Sequence, residues 1–140
     1  MVATTRNVFL MSCGSDDFRF PDEWITAFID RPVADTHIAR WWSSASPSQV
    51  HPGDTAILVA TKSGKVMGAF EVIDDPVEDR SHPSRPGKWS WTVPLRPLVL
   101  LDGTIAPRLR EFQLTAPHRY KAVKDPVVAD SLLKAIHPSL

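Results

Sequence analysis

Short apolar runs separated by tight polar turns dominate the chain. Asn7–Met11 (Asn-Val-Phe-Leu-Met) is one such run, stopped by Ser-Cys-Gly-Ser-Asp-Asp, and it reads as a buried strand entering a loop. Pro21-Asp22-Glu23-Trp24 has the signature of a helix start, with proline in the first turn and acids at the positive end of the dipole. Trp24, Ile25, Phe28 and Ile29 follow at helical spacing until Pro32, and a second short helix is expected over Ala34–Trp41. Ser43–Gly53 is a Ser- and Pro-rich loop ending in the turn Pro52-Gly53-Asp54. Thr55–Ala60 and Val66–Ile73 are dense β-forming runs joined by Lys62-Ser63-Gly64-Lys65, which predicts a hairpin as the longest strand pair.

Beyond the hairpin the pattern weakens. Asp74–Lys88 is a polar excursion holding three prolines, a loop length that is usually functional or mobile. Trp89–Val93 alternates as a half-buried strand does, and Leu98–Leu101 continues as strand or edge. A helical turn over Ala106–Phe112, a last strand over Tyr120–Val123 and an amphipathic helix over Val127–Ile136 complete the prediction. Strands broken by tight turns, with few and short helices, point to a small α+β barrel, and 140 residues suit a single domain.

Composition narrows the function. No apolar run approaches the roughly 20 residues of a membrane span, and the first residues carry no secretory pattern, so a cytoplasmic protein without membrane partners is expected. Net charge is zero, but its distribution is uneven. From Arg80 to Lys124 there are nine basic residues against two acidic ones, Asp102 and Glu111, while Glu71, Asp74, Asp75, Glu78 and Asp79 cluster just before. Such asymmetry predicts one basic face that holds a phosphate backbone. The alternative is that these cations scatter around the barrel and neutralise one another.

Catalytic patterns are scarce. His37, His51, His82, His118 and His137 are scattered without zinc-ligand spacing, and no metal or cofactor is expected. There is neither a phosphate-cradling glycine loop nor a Gly-x-Ser-x-Gly elbow. Cys13 could act as a nucleophile only with a histidine brought near in space, and a lone cysteine at a strand end is more often just small and partly buried.

The order of elements resembles the EVE domains of the PUA-like superfold. The residues that carry the likeness are Asn7–Ser12, a tryptophan after a helix, and Val50–Leu58 with its Gly53-Asp54 turn. Gly68-Ala69-Phe70-Glu71-Val72 and Arg96-Pro97-Leu98 continue it, and Lys121-Ala122-Val123-Lys124 is similar to a late segment of the related YTH domains. The resemblance spans about Asn7–Ile136, with the segments before the Gly-Asp turn shortened. It implies a mostly antiparallel PUA-like β-barrel flanked by short helices, which binds a modified nucleobase in DNA or RNA through an aromatic cage and without catalysis. It also implies partner proteins from larger restriction or RNA-processing systems.

Trp42 is the expected first wall of that cage, because it precedes Ser43-Ser44 as in the YTH pattern; Trp41 is the alternative. Trp89, beside the long excursion, is the second wall. Ser12, Cys13, Gly14, Ser15 and Ser43 are placed to read the base edge, and Arg119, Lys121, Lys124 and Lys88 to hold the backbone, with Arg85, Arg108 and Arg110 in the same basic face. Asp54 is expected to support its turn through backbone amides. Two other classes compete. An ASCH-like small amidohydrolase acting on a modified nucleoside needs an early Gly-x-Lys-x-x-Glu-x-Arg stretch, whereas the first lysine here is Lys62. A protein-interaction module would leave the aromatic residues buried and the basic segment without a partner.

Overall fold

Among the described residues, eight strands form one curled sheet whose two faces are buried by different means. The computed structural model describes residues 7–12, 30–33, 38–80, 90–101 and 106–136, with only the backbone described for 30–33 and 38–40. The strands are β1 (Val8–Ser12), β2 (Asp30–Val33), β3 (Ile38–Ser43), β4 (Thr55–Val59), β5 (Val66–Val72), β6 (Val77–Glu78), β7 (Trp91–Leu100) and β8 (Tyr120–Ala122). Their order across the sheet is β2-β3-β7-β5-β4-β1-β8, and β6 pairs with β7 off this path. All pairings are antiparallel except β1 with β4. This half-barrel agrees with the small α+β, mostly antiparallel barrel expected from the sequence.

Alternation along the strands sorts side chains into two cores. Phe9, Met11, Trp41, Ala56, Leu58, Phe70, Val72, Val93 and Leu95 face the concave interior, with Val50 from the preceding loop among them. Val8, Leu10, Ile57, Val59, Val66 and Ala69 face the other way and are covered by a 3-10 helix (Leu109–Phe112) and by the C-terminal helix α1 (Pro126–Ile136). Helix α1 forms where predicted. Pro126 opens it, the Asp125 carboxylate accepts the Val127 N–H at 2.9 Å, and Ala129, Leu132 and Ile136 give a buried stripe at helical spacing.

The Pro-Gly-Asp turn is built as expected. Asp54 is buried, and its carboxylate accepts the N–H groups of His51 (2.9 Å) and Asn7 (3.4 Å), tying the turn to the start of β1. Gly53 adopts a φ of +91°, a conformation in which a Cβ is strained. Gly68 is needed for a different reason: a Cβ there would strike the Val99 carbonyl oxygen of β7.

Two expectations are corrected. The helix expected over Ala34–Trp41 is replaced at residues 38–43 by strand β3, because its five-residue ladder with β7 outweighs a weak local helix preference. Pro94-Leu95-Arg96-Pro97, left outside the two expected strands Trp89–Val93 and Leu98–Leu101, is itself strand, and β7 runs unbroken for ten residues, longer than either hairpin strand. It tolerates both prolines because it changes partner. β3 pairs with it only as far as Leu95 and β5 only from Leu95 onward, so Pro94 and Pro97 each have one flank without a β3 or β5 ladder partner. The hairpin is joint longest rather than alone, since β1–β4, β3–β7 and β5–β7 match its five register pairs. The helix expected from Pro21 lies outside the described residues as far as Ile29, and its expected end at residues 30–32 is instead part of strand β2. No described helix is long and apolar enough to cross a membrane.

Candidate nucleic-acid interface

The open side of the half-barrel is bridged by side chains. Trp41 reaches from β3 to the opposite edge, where its indole N–H donates to the Ser12 carbonyl at 2.9 Å. Its ring meets Tyr120 of β8 edge-on, with centroids 6.3 Å apart and planes at 76°. Phe9 of β1 completes the cluster, 5.9 Å from Tyr120. Edge-to-face pairs of this kind contribute about 0.5–1.5 kcal/mol each beyond area burial.

Tyr120 is half-buried, and it also lines an open cavity of about 460 Å³ that runs along β8. The other lining residues are Gln49, His118, Arg119, Lys121, Ala122 and Lys124. Three of the four cations expected to hold a phosphate backbone therefore border one depression, and the fourth, Lys88, lies outside the described residues. The volume falls in the range of small-ligand sites, about 300–1,000 Å³.

The remaining cations divide. Arg80 pairs with Glu78 at 3.9 Å and Arg96 with Glu71 at 3.3 Å, both on exposed surfaces. Arg108 and Arg110 sit at the 3-10 helix, away from β8. Arg85 lies outside the described residues. The basic run is thus neither one continuous face nor fully neutralised.

The aromatic and serine positions come apart as well. Trp41 and Trp42 occupy opposite faces of β3, paired with Val93 and Thr92 respectively. Trp41 belongs to the interior core, and it is Trp41, not Trp42, that is joined to Ser12. Trp42 is 8% exposed, so the described geometry does not present it as an open wall. The Ser12 hydroxyl donates to the Pro117 carbonyl and its N–H to the Arg119 carbonyl at 3.0 Å, which commits its donors to holding β8 in place. The Ser43 hydroxyl donates to the Ala45 carbonyl at 2.7 Å and is buried. Cys13, Gly14, Ser15 and Trp89 lie outside the described residues. Among the described residues no group of His, Cys, Asp and Glu side chains could hold a metal ion.

Tyr120 is the residue the sequence reading missed. A signal was available: the chain's single tyrosine stands between Arg119 and Lys121, an aromatic ring flanked by two cations.

No family model matches the sequence, and no curated protein is similar to it in sequence. Among solved structures, the human THYN1 protein in complex with 5-methylcytosine containing DNA is similar in fold, with a TM-score of 0.56. That likeness covers 92% of this chain and 97% of that one at 9% identity. At such identity the likeness is one of architecture alone, and it agrees with the mostly antiparallel α+β fold expected from the order of elements.

Proposed function

We propose that this protein is a binding module that holds nucleic acid along β8 and recognises a modified base there, without chemistry on it. The observation that carries the reading is the convergence of Arg119, Lys121 and Lys124 on one cavity with the half-buried ring of Tyr120. Cations of this kind hold phosphates and position a strand, while an aromatic ring supplies a stacking surface that any base can use. Stacking contributes about 1–3 kcal/mol per base. An added methyl that is buried contributes roughly 0.8 kcal/mol, enough to separate a modified base from a plain one. The similar fold of a protein seen with 5-methylcytosine containing DNA makes that base the first to try.

The test is titration of matched oligonucleotides, one with 5-methylcytosine and one with cytosine, over a salt series. Affinity should fall as salt rises, and Lys121→Ala with Lys124→Ala should flatten the log–log slope by up to about one unit each. An affinity indifferent to salt would remove the phosphate contacts from the reading. Tyr120→Ala should weaken the methylated oligonucleotide by about 1–3 kcal/mol while leaving the salt slope intact. Unchanged affinity in that variant would take the base away from the β8 cavity.

A further inference from the structure

The fold brings part of the basic run against a turn from elsewhere in the chain. Residues 61–65 (Thr-Lys-Ser-Gly-Lys), which join β4 to β5, are zipped to residues 107–109. Val66 N–H donates to the Pro107 carbonyl at 2.8 Å and Leu109 N–H to the Gly64 carbonyl at 2.9 Å, while Lys65 and Arg108 form an antiparallel bridge. Gly64, at a φ of +70°, closes the turn with its N–H on the Ala60 carbonyl. Lys62 and Arg110 meet across an open cavity of about 340 Å³, with the hydroxyl-bearing Ser63 and Thr115 on its walls. Lys65 and Arg108 add two more cations beside it. Within residues 60–66 and 107–116 the one acidic residue is Glu111, whose carboxylate accepts the Arg108 N–H at 2.7 Å.

We propose that this platform is a second phosphate site, which grips a polynucleotide at a distance from the base held along β8; it rests on the function proposed above. Three observations carry it. Four cations, Lys62, Lys65, Arg108 and Arg110, stand on two short segments that the fold brings together. The backbone bonds fix the platform before any ligand arrives, which lowers the ordering cost of binding. Topology places it at the same sheet end as Arg119. Ser12 N–H bonds the Arg119 carbonyl, and Ser12 pairs with Val59, the last residue of β4, just before the turn. Two strand spacings of about 4.8 Å separate the Arg119 backbone from Val59. At about 3.4 Å of rise per nucleotide, a strand leaving Arg119 reaches the turn within roughly three to six nucleotides.

Length is therefore the discriminating variable. The probes are a single-stranded 12-mer with a central 5-methylcytosine and a trinucleotide with the same centre. Lys62→Gln with Arg110→Gln, both exposed positions, should weaken the 12-mer roughly tenfold at moderate salt and lower its salt slope by about one to one and a half units. The trinucleotide, too short to reach the turn, should bind the variant and the wild type alike. Arg110→Glu alone, which keeps Lys62, should act in the same direction on the 12-mer. The proposal is overturned if the double variant binds the 12-mer as the wild type does, or loses the same factor on the trinucleotide. Wild-type protein that binds neither probe would instead bring down the base-binding reading, and this site with it, before any variant is compared.

Discussion

Trp41→Ala is expected to lose about 3–5 kcal/mol of folding stability, a large share of the roughly 5–15 kcal/mol that holds a domain together. The residue is 4% exposed and packs in the interior core. Its loss removes more than volume. β3 lies next to one end of the sheet order and β8 at the other, and no ladder joins them. The Trp41 indole spans that gap, bonded to Ser12 and packed on Tyr120. Truncation opens a cavity and leaves the Ser12 carbonyl without its indole donor, a polar loss of about 1–3 kcal/mol where the group stays buried. Chemical denaturation of wild type, Trp41→Ala and Trp41→Phe separates the two effects. The phenylalanine variant keeps most of the packing and should fall between the other two. A loss below about 1 kcal/mol in Trp41→Ala would mean that the half-barrel does not depend on this strap.

Legibility in the sequence followed the range of the interactions. The β4–β5 hairpin and α1 could be read because each is fixed locally. Pro52-Gly53-Asp54 and Lys62-Ser63-Gly64-Lys65 bound the hairpin, while Pro126 and the stripe Ala129, Leu132, Ile136 define the helix. β3 could not be read in this way. Ala34–Trp41 has no strong strand preference, and its later part becomes strand through pairing with β2 and with β7, the latter some fifty residues away in sequence. The continuity of β7 was hidden because two prolines argue against a strand unless its change of partner is known. The parallel pairing of β1 with β4 left no local mark at all.

The candidate site divides along the same line. Arg119, Lys121 and Lys124 are near one another in sequence, and β8 keeps them together, so their grouping was legible. The meeting of Arg110 with Lys62 was not, because it depends on the 3-10 helix docking against a distant turn. Alternation alone says that Trp41 and Trp42 face opposite ways. Only the register with β7 decides which of them is inside, and it places Trp41 beside Val93 in the interior core.

Trp42→Ala carries the other large effect, and its readout decides where the base can stack. With 8% exposure, the ring is a buried side chain of β3, on the face it shares with Thr92. An indole buries about 150–250 Å², so truncation should lower stability by about 3–5 kcal/mol. For a chain of this length that is a fall of roughly 10–20 °C in the thermal midpoint. Base affinity, measured on protein still folded at low temperature, should change little, because the proposed stacking surface is Tyr120. A cage wall would behave in the opposite way, losing the methylated oligonucleotide while melting as wild type does. The two outcomes differ in kind, so melting and titration of one variant separate them. The second outcome would move the site to the other face of β3 and β7. There Thr92, 5% exposed, keeps a hydroxyl with no hydrogen-bond partner among the described residues. A buried hydroxyl in that state gains from any ligand that bonds it, so Thr92→Val would then be the next variant to titrate.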